Sequence, residues 1–205
     1  MNTSKIFPIF YLGSIEYYHQ LLNNKVIFEQ HENFIKQTYR NRCSIYGANG
    51  KLNLIIPLER TGDRRVIKDL KIANNQRWQE LHWKSIQAAY RSSPYFEFYE
   101  DDFYPFYQTQ FELLTEFNLS LHNKICELLN IDFSKSLSSS YQNIEPIDDY
   151  RLKFNAKKPA QIINFYDKEY IQVFSNKKGF INNLSIIDLL FNEGPNSIQY
   201  LKSLT

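Results

Sequence analysis

Glycine is scarce in this sequence, with only six residues among 205. A loop that cradles phosphate needs several closely spaced glycines, so that backbone N–H groups can approach the ligand. No G-x-G-x-x-G and no G-x-S-x-G pattern occurs, which disfavours a Rossmann dinucleotide site and a typical α/β-hydrolase. The segment Gly47-Ala48-Asn49-Gly50-Lys51 is too short for a phosphate-binding loop. It is typical of a hairpin turn, with Asn49-Gly50 supplying positive φ.

Cysteine and histidine are also rare, with two and four residues respectively. Cys43 and Cys126 form no C-x-x-C pair, so a disulfide framework is not indicated and we expect reduced thiols. The segment His31-Glu32-Asn33-Phe34-Ile35 begins like a zinc-protease helix, but isoleucine stands where the second histidine is required. We predict no metal site, and the sequence identifies no cofactor.

Neither sign of charge is in excess, and no long apolar run occurs. A net charge of +2 gives no strong field for steering nucleic acid or anionic membranes. No stretch approaches the ~18 consecutive apolar residues of a membrane span. The short apolar patch Ile6–Leu12 lacks the full core and the cleavage site of a signal peptide. We expect a cytoplasmic protein with no nucleic-acid partner and no membrane span.

Apolar and aromatic residues, in contrast, are plentiful. Hydrophobic residues make up 43% of the chain and aromatic residues 16%, which is ample for a packed core. The length fits one large domain, and neither an internal repeat nor a biased linker divides it. We therefore predict a single domain over residues 1–205.

Hydrophobic periodicity predicts an α/β fold. The N-terminal pattern is that of a strand, Ile6–Phe10, a helix, Tyr11–Leu22, and a second strand, Val26–Phe28, which suggests a parallel unit with a right-handed crossover. Further strands are predicted over Tyr39–Tyr46 and Leu52–Leu58 (a hairpin), Val66–Ile72 and Tyr170–Phe174. Helices are predicted over Trp78–Arg91, Tyr95–Phe103 and Thr109–Asn130, and from a capping box at Ser185–Asp188. The expected architecture is a mixed sheet with a helical layer.

Several motifs, taken together and in order, carry a family resemblance. They are Glu32–Gln37 leading into Tyr39–Cys43, Asn53–Pro57, Trp78, His82–Ile86, Tyr90–Phe96 and Leu184–Pro195. With them the chain resembles the WbqC-like family, in the form common among Bacteroidetes. One departure is that Pro8–Gly13 lacks the glutamine that precedes the corresponding proline in many relatives.

That resemblance implies a role in surface polysaccharide biosynthesis of the O-antigen type. Members of the family are associated with gene clusters for such polymers. The resemblance therefore implies a cytosolic enzyme that acts on a nucleotide-linked amino sugar by acyl or aminoacyl transfer. The expected partners are a sugar nucleotide or an activated amino acid. The alternative is a non-catalytic module that binds a sugar nucleotide or a partner enzyme of the same pathway.

Binding residues are predicted from the segment that precedes the hairpin turn. If Lys36–Ile45 is extended, Lys36, Arg40 and Arg42 share one face. Two arginines two residues apart would form a clamp for a carboxylate or a pyrophosphate. The alternative is a solvated or salt-bridged strand face. The full set of predicted substrate-binding residues is Lys36, Gln37, Arg40, Asn41, Arg42, Asp188 and Asn192.

Three residues are candidates for catalysis. His82 has an ordinary pKa of about 6.5, which suits a general base, although a lone histidine on an apolar stripe is more often a satisfied core residue. Tyr90 could contact His82 or a sugar hydroxyl, or serve structure alone. Cys43, beside Asn41, could be the nucleophile of a Cys-His-Asn arrangement or simply a small buried residue. Asp188 and Asn192 could equally cap and terminate their helix.

Overall fold

The N-terminal half of the fold is built on a small parallel sheet. The computed structural model describes residues 4–60, 65–131, 135–158 and 168–204. Strand β1 (Lys5–Pro8) pairs in parallel with β2 (Val26–Glu29), and helix α1 (Ile15–Leu22) connects them. A third parallel strand, β5 (Lys135–Leu137), pairs with the other edge of β2. The predicted strand–helix–strand unit is therefore confirmed.

The predicted hairpin is also confirmed, but its turn lies one residue earlier than the predicted Asn49-Gly50. Strands β3 (Arg42–Gly47) and β4 (Gly50–Ile55) are antiparallel, with Gly47 opposite Gly50, so Ala48 and Asn49 form the turn. Gly50 has a φ of +107°, which favours glycine. This hairpin is a separate sheet, so parallel and antiparallel pairs do not share one sheet.

Helices supply most of the remaining core, and the α/β class is confirmed. The helices after β4 are α2 (Trp78–Tyr90), α3 (Phe96–Gln108), α4 (Leu114–Leu128), α5 (Ser175–Lys178), α6 (Ile186–Glu193) and α7 (Ser197–Ser203). α3 extends beyond its predicted end, while α4 is shorter than predicted. Within α2, apolar spacing predicts that Leu81 is buried and leaves Trp83 off the buried stripe, whereas Leu81 is 62% exposed and Trp83 is buried.

Two predicted strands are wrong. Val66–Ile72 contains a short 3₁₀ helix, Ile67–Asp69, and its backbone bridges three different segments instead of one neighbouring strand. Tyr170–Phe174 alternates in burial as predicted. However, the side chain of Gln172 donates to the carbonyl of Ile181 and accepts from its amide, and these are backbone groups that would pair with a neighbouring strand in a sheet. In both cases the alternation reflects burial without a continuous ladder.

The segment before β3 is folded into turns. Residues 36–40 are not extended, and Gln37 has a φ of +62°. Thr38 Oγ1 donates to the carbonyl of Ile35, and the carbonyl of Tyr39 accepts from the amide of Tyr11, which holds the turns against the core. The expectation that Lys36, Arg40 and Arg42 share one strand face is therefore wrong.

Candidate functional site

Charged side chains meet where the parallel strands end. Glu29 is the last residue of β2, and Ser138 directly follows β5. Asp149 bridges β1 in parallel, so Arg151 follows at the same edge. Ligands of open α/β sheets bind outside the carboxyl ends of the strands. A ligand site is therefore expected at this edge of the sheet.

Glu29 joins the loops of this edge. Its side chain is fully buried and accepts hydrogen bonds from the amide of His31 (2.8 Å), Ser138 Oγ (2.6 Å) and the amide of Gln142 (2.9 Å). Arg151 Nη1 lies 3.4 Å from the same carboxylate. A buried carboxylate is tolerable only with such partners, so Glu29 holds the edge together and does not face a ligand.

Arg40 and Glu32 form a second buried pair. The guanidinium Nε and Nη2 donate to the two carboxylate oxygens at 2.8 and 2.6 Å, and Nη2 also donates to the carbonyl of Arg151. Burial raises the pKa of the Glu32 carboxyl, and Arg40 opposes that effect. With Nη1 donating to Thr38 Oγ1 at 3.3 Å, four of the five guanidinium donors have partners within the described residues.

A cavity of about 240 Å³ opens beside these pairs, and we call it the basic cavity. Its polar wall consists of Lys36, Gln37, Thr38, Arg40, Arg151, Asn155 and Lys157, and its apolar wall of Ile35, Leu152, Phe154 and Ala156. No acidic side chain belongs to this described wall, and Lys36 and Lys157 are exposed. The positive φ of Gln37 is backbone strain of the kind found at ligand sites. The arrangement suits an anionic ligand.

Three predicted binding residues, Lys36, Gln37 and Arg40, therefore lie together. Arg42 does not line the basic cavity: it begins β3, opposite Ile55, and its Nε is shielded from solvent without an acceptor in the described chain. Asn41 is also engaged elsewhere, since its Nδ2 donates to the carbonyl of Ile56 at 2.9 Å. Thus the turns at Lys36–Arg40 separate Arg40 from Arg42, which were predicted to share one face of a strand.

His82 lies in a buried hydrogen-bond chain. Its Nε2 is 3.2 Å from the carbonyl of Ile55, its Nδ1 is 3.0 Å from Tyr11 Oη, and Tyr11 Oη is 2.9 Å from Tyr107 Oη. A carbonyl only accepts, so Nε2 carries the proton, Tyr11 donates to Nδ1, and Tyr107 donates to Tyr11. Burial lowers the pKa of His82 to about 4. Both ring nitrogens are thus occupied.

Tyr90 and Asp188 form another buried network. The Asp188 carboxylate is fully buried and accepts from Tyr90 Oη (2.8 Å), Tyr170 Oη (2.5 Å) and Gln172 Nε2 (2.9 Å). Burial raises its pKa to about 6. Asn192 Nδ2 donates to the backbone carbonyl of Asp188 at 2.7 Å. Asp188 and Asn192 belong to one sequence motif, Leu184–Pro195, whereas the two tyrosines that donate to Asp188 are brought to it only by the fold.

The predicted capping box is wrong. Ser185 Oγ donates to the carbonyl of Leu12 at 2.8 Å and caps nothing in α6. The side chain of Asp188 faces Tyr90 and Tyr170 instead of the backbone at the start of the helix. Because Ser185 connects α6 to the loop after β1, its role lies in tertiary packing.

Cys43 is fully buried in the hydrophobic core, where burial raises the pKa of its thiol. A second cysteine lies beside a histidine that sequence analysis did not single out: Cys126 Sγ is 3.4 Å from His122 Nε2. The i, i+4 spacing of these two residues on a helix was the available signal. Burial raises the pKa of Cys126 to about 11, so its thiol is protonated.

Sequence analysis missed Asn155 and Lys157 of the cavity wall. It also missed Arg151 and the buried Glu29 that supports it. Both lie in segments without a motif, and their meeting depends on the parallel register of β1 and β2. Within the described residues, no group of three or more His, Cys, Asp or Glu side chains could hold a metal ion. The described helices are too short or too polar to cross a bilayer.

These features define an α/β protein whose parallel sheet carries, at its carboxyl edge, a basic cavity backed by buried ion pairs. A family model described as the WbqC-like protein family matches residues 10–158 and 151–200. The chain therefore belongs to the WbqC-like protein family. A comparison with curated proteins gave no match, and neither did a comparison with solved structures.

Proposed function

We propose that this protein binds a nucleotide-linked amino sugar of surface polysaccharide biosynthesis, in the cytoplasm, through the basic cavity. The observation that carries the proposal is the joint presence of the exposed lysines Lys36 and Lys157 around one cavity without a carboxylate in its described wall. A diphosphate is the part of such a ligand that lysine and arginine side chains recognise. Gln37 and Asn155 supply amides for sugar hydroxyls or the base.

Binding without transfer fits this geometry better than the acyl or aminoacyl transfer predicted from the sequence. A transferase needs a base or nucleophile beside the ligand. The described wall of the basic cavity contains neither histidine nor cysteine. His82 has both nitrogens engaged, and Cys43 is fully buried. The function we propose is therefore that of a sugar-nucleotide-binding module, with transfer as the rival that the same experiment examines.

The experiment is a thermal-stability and calorimetric screen with uridine and thymidine diphosphate amino sugars. We expect stabilisation by at least one of them, weakened at least tenfold in affinity by Lys36→Glu or Lys157→Glu. The matched control is Lys177→Glu, an exposed lysine on α5 outside the cavity. Stabilisation by none of the panel, or equal loss in the control, overturns the proposal. Mass spectrometry after addition of activated amino acids or acyl thioesters reveals transfer, and a mass increase would establish the rival function.

A further inference from the structure

Large apolar side chains lie exposed around the basic cavity. Ile147 is 73% exposed and Leu152, on the cavity wall, is 72% exposed. Tyr141 is 51% exposed, and its ring centroid lies 4.5 Å from the guanidinium carbon of Arg151. Single exposed apolar residues are ordinary, whereas a group of them marks an interaction surface.

The contacts of Arg151 and Phe154, on either side of it, keep Leu152 exposed to solvent. Arg151 is fixed by Asp149 through two side-chain hydrogen bonds of 2.9 and 2.7 Å. Phe154 is only 4% exposed and packs against Phe7 and Phe10. Leu152 lies between these two anchors, so it cannot turn inward without losing one of them. Its exposure is therefore a property of the fold.

Lysines surround the same apolar group. The segment 151–158 contains an arginine and three lysines and no acidic residue. Lys153 Nζ donates to the carbonyl of Ile147 at 2.7 Å, while Lys36 and Lys157 share the cavity wall with Leu152. We call the set the basic-apolar face: Lys36, Tyr141, Ile147, Leu152, Lys153, Lys157 and Lys158.

Acidic groups near this face are mostly neutralised. Asp148 pairs with Lys5 at 2.5 Å, and Asp149 pairs with Arg151 at 2.7 Å. Glu145 is exposed and is the remaining acidic residue between Asn143 and Asp149 that has no ion pair within the described residues. Positive charge is thus concentrated here, although the whole chain carries only +2.

We propose that the basic-apolar face docks on an anionic phospholipid bilayer. Exposed apolar side chains bordered by lysines bind a membrane interface by inserting among the headgroups while the ammonium groups meet lipid phosphates. Docking would turn the mouth of the basic cavity toward the membrane surface. A second copy of the chain is the poorer occupant, since a two-fold contact of this face would bring its lysines against each other. The inference stands independently of the ligand proposed above.

Vesicle flotation tests this inference with the full chain. We expect the protein to float with phosphatidylcholine vesicles that contain phosphatidylglycerol, to remain free with phosphatidylcholine alone, and to dissociate as salt rises. Ile147→Ser and Lys158→Glu lie outside the cavity wall, and each should lower partitioning at least about fivefold. The matched controls are Ile171→Ser, at a site 81% exposed, and Lys177→Glu.

Each outcome is decisive. Flotation with the anionic vesicles that falls in both face variants and persists in both controls supports the inference. Failure to float with these vesicles overturns it, as does equal loss in the controls. Light scattering that shows a dimer lost in Ile147→Ser would assign the face to a second copy. Sugar-nucleotide stabilisation measured on Ile147→Ser separates this result from the proposed function, because that variant leaves the cavity wall intact.

Discussion

Tyr11 Oη lies 3.0 Å from His82 Nδ1, and this contact occupies the ring nitrogen that carries no proton. The backbone carbonyl of Ile55 fixes the proton on Nε2, so Tyr11 must donate and Tyr107 must donate to Tyr11 in turn. A histidine held neutral in this way stabilises the junction of the hairpin, α2 and α3. It has no spare lone pair for a substrate.

Removal of the hydroxyl of Tyr11 should leave His82 Nδ1 buried without a donor. We expect Tyr11→Phe to lower the free energy of unfolding by about 2 kcal/mol. Tyr107→Phe removes only the hydroxyl that donates to Tyr11, at the end of the hydrogen-bond chain, and should lower the free energy of unfolding by less. Urea unfolding of the two variants checks the order, and a larger loss in Tyr107→Phe would contradict the proton assignment.

His82 and Asp188 should give the protein opposing pH dependences. The pKa of His82 is lowered to about 4, below its ordinary 6.5, so its contribution is present above pH 6.5 and is lost as pH falls toward 4. The pKa of Asp188 is raised to about 6, above its ordinary 3.8, so its contribution is present below pH 3.8 and is lost as pH rises through 6. Each amounts to about 3 kcal/mol.

Variants separate these two contributions. In Asp188→Asn, stability should fall more steeply between pH 6.5 and 4 than in the wild type, because the opposing contribution of Asp188 is removed. His122, whose pKa burial lowers to about 3, adds to the same slope. In His82→Gln, the free energy of unfolding should fall less steeply over the same pH range. Urea unfolding at a series of pH values measures both, and parallel curves for all three proteins would refute the assignment.

The buried pair of Arg40 and Glu32 should be costly to break from one side. Arg40→Met leaves the Glu32 carboxylate buried without its partner, and we expect a loss of about 3 kcal/mol. The double variant Arg40→Met/Glu32→Leu removes both charges and should recover much of that loss. Chemical unfolding of the single and double variants gives the coupling energy. Additive losses would show that the two groups do not act as a pair.

Gln37 should reveal a conflict between stability and binding. Its φ of +62° favours glycine, so Gln37→Gly should stabilise the protein by about 1 kcal/mol. The same change removes an amide from the basic cavity and should weaken sugar-nucleotide binding. Gln37→Ala is the control, because it should weaken binding without adding stability. Thermal unfolding and calorimetry measure the two effects separately.

Cys43 should be silent toward thiol reagents in the folded protein. It is fully buried, and burial raises the pKa of its thiol, so the reactive thiolate is suppressed. Alkylation followed by peptide mapping should modify Cys43 only after unfolding. Cys43→Ser should bind ligand as the wild type does. Rapid alkylation of native Cys43 would revive the nucleophile hypothesis.

Sequence reasoning was most successful where neighbours along the chain decide the structure. The strand–helix–strand unit, the hairpin and helix α2 all follow from apolar spacing and turn residues within a few positions. The spans Val66–Ile72 and Tyr170–Phe174 show the limit. Alternating burial marks a strand only if another segment lies beside it, and that neighbour is set by distant parts of the chain.

The candidate site shows the same division. The structure places Lys36, Gln37 and Arg40 on the wall of the basic cavity, and all three were predicted as binding residues from their types and their motif. Their separation from Arg42 was not, because it depends on turns that the core imposes through Tyr39. Arg151 and Glu29 lie 122 residues apart and carried no local signal.

The amino-acid order alone indicated helix α2, the hairpin and the strand–helix–strand unit, since each follows from apolar spacing and turn residues close together in the chain. Tertiary structure decided which charges are buried in pairs and which remain free to meet a ligand. An arginine has the same guanidinium wherever it stands in a sequence. Burial beside a carboxylate, as for Arg40 and Glu32, makes it a structural support, and that burial depends on how segments distant in the chain pack together.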